Sequence, residues 1–478
     1  MQNRSVLSLC VLLVVWLSWQ VETNYAFFSN GRWTFTATDG PTGTSGSPTT
    51  LTWSIVPDGT PIPGRNPSNL IAFFDGLYGS GDGGIDLQTR PWFKDVVAAS
   101  FDRWTALSGL TFQYEQQDDG ATLGNFSGIL ETRGDIRLGG TFLDGQGGTS
   151  AQAGFIPNGD ITVDTGDSLF YANPTDNFLN LRNTLTHEVG HSLGLGHIDS
   201  TASFLMEPSY NGTFDGPQID DLRGVHQLYG DSRERGSMGP QPNNTLETAT
   251  NLGILADGQS LQIGTDITAS TVITSSQTDF LSIANLNDVD FFSFTIESGS
   301  ILNVVLTPSG PNYFEKISGA AGSQTITRSS QVSNLKFDIY GPASEGSAEL
   351  LTTVDAAPIG QIETLQEFML ATAGEYFVRV SGSTNDVQLY KLSLSGEALS
   401  NGDFDEDGDV DGADFLDWQR GFGPLYGEND LAAWQNNYGI PLNTAAAVAV
   451  PEPPLLSLLY SALVVSYLFA PRCFSFWP

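Results

Sequence analysis

Apolar and polar positions change their period several times along the chain, and each change marks an element. Residues 6–17 form a short apolar run, broken only by Ser8, behind Arg4, and the chain turns polar over 20–24. That order predicts an export signal over 1–25, with a retained membrane anchor as the competing reading. Over 31–57 apolar residues alternate with polar ones, as in Trp33-Thr34-Phe35-Thr36 and Leu51-Thr52-Trp53-Ser54-Ile55. A period of two belongs to half-buried strands. Residues 91–107 switch to helical spacing, with Trp92, Val96, Ala99, Phe101 and Trp104 in one apolar stripe. Such a stripe is a core-facing helix surface. Residues 111–115 and 135–138 read as further strands. A second long helix is predicted to start after Asp176, a good N-cap. It buries Leu179, Leu185 and Val189 and ends at Gly194.

Beyond 230 the pattern changes again. Residues 231–245 are rich in Gly, Pro and Asn and read as a polar linker. Residues 246–398 are short alternating runs separated by turn residues, the pattern of an all-β sandwich. Residues 399–441 combine an acidic ladder with two short helical stretches. Residues 442–478 are an Ala-rich linker, Val450-Pro451-Glu452-Pro453, an apolar stretch over 455–470, and Arg472. That stretch is short for a full membrane span of ~20 residues. The fold class is therefore α+β, a mixed twisted sheet with long helices over 26–230, then the sandwich, then a small helical segment.

Composition narrows the functions. A net charge of −35 on 478 residues argues against nucleic acid and against charge-driven binding to an anionic membrane. The two cysteines, Cys10 and Cys473, lie in the terminal apolar segments and form no disulfide framework. An exported protein without disulfides depends on core size and bound metal ions.

The candidate chemistry is concentrated in eleven residues, His187-Glu188-Val189-Gly190-His191-Ser192-Leu193-Gly194-Leu195-Gly196-His197. His187 and His191 lie four apart and share one helix face. Gly194 permits a sharp turn with positive φ, which brings His197 round as a third nitrogen. Three imidazoles can hold Zn²⁺ and leave a coordination position for water, the arrangement of a catalytic site. Glu188, beside the first ligand, is placed to act as general base. A chance motif on an amphipathic helix is the bland alternative. Against it, the chain has four histidines and three fall in this window.

A second cluster follows the sandwich. Asp403, Asp405, Asp407, Asp411 and Asp414 occupy positions 1, 3, 5, 9 and 12 of a calcium loop, Gly408 falls at position 6, and Asp409 offers its backbone carbonyl. An acidic linker is the competing reading.

These residues carry resemblances. The long zinc motif, with Met206 in Leu205-Met206-Glu207-Pro208, resembles the metzincin peptidases and, among them, the matrixins. Segments 144–153, 159–164 and 220–230 resemble matrixin segments around the site. The resemblance implies Met206 packed beneath one catalytic zinc, and Pro208 and Tyr210 in the wall of the pocket that selects the substrate residue after the cut. It also places Gln152 and Thr162 where animal matrixins carry histidines of a second, structural zinc. It leaves Asp144, Asp164 and Asp167 as calcium ligands or as a plain acidic loop. Residues 288–294, 374–380 and 388–394 resemble strands of the pre-peptidase C-terminal domain of secreted bacterial peptidases. Residues 401–423 resemble a dockerin or EF-hand half-site, although a single intact loop argues against cohesin docking. The tail resembles a PEP-CTERM sorting signal, against a plain C-terminal membrane anchor.

The reading that results is an exported or surface-displayed zinc endopeptidase acting on extracellular proteins, with structural calcium. The alternative is a calcium-dependent adhesion or scaffold protein with an incidental peptidase domain.

Overall fold

The computed structural model describes residues 27–124, 127–236, 242–342, 347–398, 402–405, 407 and 409–439. The expected export signal and sorting tail lie outside them. Among the described residues no helix is long and apolar enough to cross a membrane. The chain divides into two compact units, 1–398 and 399–478.

The first unit opens with a small hairpin, β1 (Phe35–Thr36) and β2 (Gly40–Pro41). Next come β3 (Thr49–Ile55), α1 (Leu70–Tyr78), and a π-helical stretch (Phe93–Ala98) running into α2 (Ala99–Leu107). Strands β4 (Leu110–Tyr114), β5 (Ile136–Thr141), β6 (Ala151–Ala153) and β7 (Ile161–Asp164) follow. Then come α3 (Ser168–Tyr171), α4 (Leu179–Ser192), β8 (Ile198–Ser200) and α5 (Ile219–Tyr229). The sheet order is β4-β3-β5-β7-β6, parallel except for β6, which is antiparallel to β7 and lies at the edge. Helix α4 packs against α2, and Trp53, Phe101, Trp104, Leu185 and Val189 share one core. Every residue of β3 is buried, so its alternating sequence places polar Thr and Ser inside as well. The sheet is covered on both faces, as largely parallel sheets are.

Helix α4 starts later than its sequence suggests. Asp176, Asn177 and Phe178 have φ of 50, 55 and 57°, and the helix begins at Leu179 without a side-chain cap. Tertiary contacts override the capping signal here. The Phe178 ring packs edge-on against Tyr78 at 4.6 Å, and Arg182 donates to the Asp176 carbonyl at 3.0 Å.

The remainder of this unit carries β9 (Thr250–Ile254), β10 (Gln259–Ile263), β11 (Leu281–Ile283), β12 (Val289–Ile296), β13 (Ser300–Pro308), β14 (Asn312–Ile317), β15 (Thr325–Arg328), β16 (Lys336–Tyr340), β17 (Leu350–Val354), β18 (Glu363–Leu370), β19 (Gly374–Ser381) and β20 (Gln388–Ala398). Hairpin β14–β15 joins β8 in a separate three-stranded sheet, and the other strands form a sandwich. One sheet runs β10-β20-β13-β18 with β11 on β20, and the other β17-β16-β19-β12-β9. Phe292, Phe294, Val378 and Val380 of one sheet meet Leu302, Val304, Leu392 and Leu394 of the other in a second core. Strands β13 and β20 show the expected alternation of buried and less buried residues, whereas β12 is buried on both faces along most of its length.

The expected linker is partly buried instead of being a free tether. Asp231, Glu234 and Asn243 are each 1% exposed. The reason is a third core, in which Leu107, Phe204 and Leu222 of the first region pack with Ile267, Phe280 and Leu389 of the sandwich. Polar contacts close the same seam. Arg103 donates to the Thr274 and Gln277 carbonyls at 2.9 and 3.0 Å. The His226 Nε2–H donates to the Leu107 carbonyl at 2.7 Å, leaving Nδ1 to accept from the Ser282 hydroxyl at 2.9 Å. Buried Arg223 donates to the Tyr313 hydroxyl at 3.0 Å and to Asp386 at 3.1 Å, and Tyr313 in turn donates to Asp220 at 2.7 Å. An apolar seam with buried charged partners holds the two regions in one arrangement.

The second unit carries α6 (Gly412–Gly421) and α7 (Glu428–Asn437). Phe415 stacks on Trp418 and packs against Trp434, which meets Tyr438 edge-on.

Candidate metal centre

Helix α4 sets His187 and His191 one turn apart. The Nδ1 of His187 faces the Leu205 carbonyl at 2.6 Å and that of His191 the Leu195 carbonyl at 2.8 Å. A carbonyl only accepts, so both Nδ1 atoms carry the proton and both Nε2 atoms are bare lone pairs. The chain then reverses at Gly194, whose φ is 102°. A Cβ there would lie 2.0 Å from the Gly31 carbonyl oxygen, so both conformation and space require glycine. The reversal brings His197 Nε2 to 3.0 Å from His187 Nε2 and 2.9 Å from His191 Nε2. At least two lone pairs converging on one point repel unless a cation lies among them. The donor set, the tautomers and the convergence all fit zinc. Burial lowers His187 to about 3, with His191 adding to the shift, and lowers His191 to about 4, keeping both imidazoles neutral.

Glu188 lies on the same helix, 6% exposed, and its Oε2 has no hydrogen-bond partner. Burial pushes its carboxyl up to about 8. A buried, unpartnered carboxyl costs stability and fits a site that presents a base to a ligand.

Met206 is 2% exposed under the histidines, its sulfur against Gly190. A Cβ at 190 would meet that sulfur at 2.5 Å, so a helix-interior glycine is the condition for this packing. The turn itself is held by Asp221, which accepts from the Leu205, Met206 and Gln218 amides at 2.8, 3.0 and 2.7 Å. Sequence reading missed this role. The available signal was the position of Asp221 in the capping box of α5.

The three histidines and Glu188 line a cleft of about 780 Å³, in the range of ligand clefts. Edge strand β6 forms one wall, and Leu205, Pro208, Tyr210 and Phe214 form the other. Tyr210 donates to Asn180 Oδ1 at 2.7 Å and packs edge-on against Phe170. Pro208 and Tyr210 thus lie where the resemblance expects pocket residues. Gln152 and Thr162 are cross-strand partners on β6 and β7.

The other predicted ligands fare differently. Asp164 accepts from the amides of Leu143, Asp144, Gly145 and Gly166 at 2.7–3.2 Å. Asp144 accepts from Thr149 and Asp167 from Gly147. These three carboxylates organise the loop through backbone amides, and among the described residues they do not form one close group of ligand oxygens. In the second unit Asp403, Asp405 and Asp414 do converge, as do Asp409, Asp411 and Asp414, within 4.8 Å. Buried Asp414 also accepts from the Phe404 and Asp411 amides at 2.6 and 2.7 Å. Asp407 accepts from the Asp409 amide at 3.1 Å and lies outside both groups.

One cluster had no sequence signal at all. Glu234, Asp288 and Asp290 bring their oxygens within 4.8 Å while fully buried in the seam. Glu234 pairs with Asp288 and Asn243 with Asp290 inside this cluster. Burial raises all three carboxyls, and the Asp288 charge adds to the rise at Glu234 and Asp290. An all-oxygen set of this kind suits a hard cation.

Comparison with known proteins agrees with this geometry. The matrixin family profile matches residues 86–230. The chain is 35% identical over 147 residues to a hatching enzyme of Paracentrotus lividus, covering 30% of this chain and 24% of that protein. It is 35% identical over 161 residues to interstitial collagenase of Bos taurus, covering 32% of each. It is 30% identical over 167 residues to metalloendoproteinase 5-MMP of Arabidopsis thaliana, covering 32% of this chain and 44% of that one. The chain thus spans less than half the length of these relatives. The pre-peptidase C-terminal domain of a Bacillus anthracis collagenase aligns over 31% of this chain and 94% of that one, at 12% identity and a TM-score of 0.18. A TM-score that low carries no argument.

Proposed function

We propose that the matrixin domain of this chain is a zinc endopeptidase. The observation that carries the reading is the meeting of three imidazole Nε2 atoms, 2.9–3.0 Å apart, beside the unpartnered Glu188 carboxyl. A zinc ion held by His187, His191 and His197 supplies Lewis-acid polarisation of the scissile carbonyl and acidification of the attacking water. Glu188 takes the proton of that water and hands it to the leaving amine. An extended substrate adds to the free edge of β6 by strand pairing, and the wall at Pro208 and Tyr210 receives the side chain after the cut. The buried, uncompensated Glu188 favours this reading over an adhesion protein with an incidental domain, which has no need of it.

The protein as secreted should cleave gelatin or casein, lose that activity to a zinc chelator, and recover it with zinc but not with calcium. Cleavage that persists through complete zinc removal would overturn the assignment.

We further propose that the protein is exported, from the apolar runs at 6–17 and 455–470, and that the loop at 403–414 takes one calcium ion. Its convergent carboxylates repel one another without a cation. Millimolar calcium should protect this loop in the full chain from limited proteolysis and change the emission of Trp418 and Trp434. A digestion pattern and emission indifferent to calcium would leave only an acidic linker.

A further inference from the structure

Two of the three imidazoles are oriented by hydrogen bonds of their own rings, and the third is not. The Nδ1 atoms of His187 and His191 each have a carbonyl partner. Among the described residues none is hydrogen-bonded to His197 Nδ1, whose ring contacts are those of Nε2 with the other two histidines. Nor does His197 sit on a helix, because it follows the reversal at Gly194. Its backbone must therefore be held from outside. Metal ligands depend on such outer support.

That support comes from hairpin β14–β15, which extends from sandwich strand β13. Strand β14 pairs antiparallel with β8, the strand that leaves His197, in the register Glu315↔Ser200, Lys316↔Asp199 and Ile317↔Ile198. The pairing ends on the ligand itself, where the Ser318 amide donates to the His197 carbonyl at 3.0 Å. On the other side the Ile198 amide donates to the Met206 carbonyl at 3.2 Å. His197 is bracketed between the sandwich hairpin and the turn beneath the site.

Building on the zinc reading above, we propose that Ser318 is a positioning residue of the metal centre: its backbone N–H, delivered by hairpin β14–β15, fixes the third histidine. Hairpin β14–β15 is thereby part of the active-site scaffold.

The test uses the full chain and replaces the N–H alone. Ser318→Pro lacks the donor, whereas Ser318→Ala keeps it. Zinc affinity is measured by competition with a chelator, and ligand geometry by the visible spectrum of the cobalt-substituted protein. Wild type binding one zinc at the histidines establishes the premise separately. Ser318→Pro should then bind zinc roughly 10–100-fold more weakly with an altered cobalt spectrum, and Ser318→Ala should restore both. If Ser318→Pro does not fold, Lys316→Glu decides. It opposes Asp199, now 3.6 Å from the Lys316 ammonium, with a like charge across the β8–β14 pair. Zinc affinity should fall at low ionic strength and recover with salt. Unchanged affinity and spectrum in whichever variant folds would overturn the proposal, even if its thermal stability fell.

Discussion

Glu188→Gln should lower kcat/KM by roughly 10²–10⁴-fold, the range for loss of a positioned general base, while leaving thermal stability equal or higher. The two effects have one cause. Glu188 is 6% exposed, its Oε2 meets no donor, and burial already pushes its carboxyl up to about 8. A neutral amide of the same shape removes the penalty of holding a charge there. Zinc should stay bound, because the ligands are His187, His191 and His197. Peptide cleavage, metal content and a melting curve on one preparation check this. Near-normal turnover in a zinc-loaded variant would remove Glu188 from the mechanism, and a large drop in melting temperature would show that the side chain is structural.

Arg223→Met should be the most destabilising single substitution at the seam, by about 3–5 kcal/mol, as when one partner of a buried ion pair is removed. Arg223 is fully buried, donates to Tyr313 and Asp386, and lies among Asp220 and Glu315. Burial pushes Glu315 up to about 7, and burial together with Glu315 raises Asp220 well above the carboxylate range. Without the guanidinium these acids lose their cation inside an apolar seam. Methionine fills the volume, so the loss reads charge and hydrogen bonding more than a cavity. Urea denaturation followed by intrinsic fluorescence measures it. A loss under about 1 kcal/mol, the ordinary size of a point mutation, would mean that the apolar core alone holds the seam. Because Asp220 adjoins Asp221, which holds the Met206 turn, the same variant should also release zinc faster.

The histidine cluster was legible because its geometry is local. Four residues make one helical turn, and one glycine makes the reversal, so His187, His191 and His197 can be brought together from their spacing. The convergence of carboxylates at 403–414 was legible for the same reason, since Asp403, Asp405, Asp409, Asp411 and Asp414 all lie within a dozen residues. The start of α4 was misread at Asp176 because Phe178 is drawn onto Tyr78, a contact outside any sequence window. For Asp144, Asp164 and Asp167 the sequence left calcium ligands and an acidic loop both open, and only the tertiary structure shows that Asp164 is engaged by four backbone amides, a demand set by how the loop closes. The polar composition of 231–245 suggested a tether, but Asp231, Glu234 and Asn243 are buried.

What the sequence determined by itself, then, is the local chemistry: which histidines can converge, which carboxyl stands beside them, and which segments form strands. Tertiary structure decided how that chemistry is held. The Asp221 grip on the Met206 turn, the Arg223 network and the Ser318 amide on the His197 carbonyl all join residues far apart in the chain. Such pairs follow no period. They form only when folding brings two apolar surfaces together and leaves the polar groups between them to find partners without water.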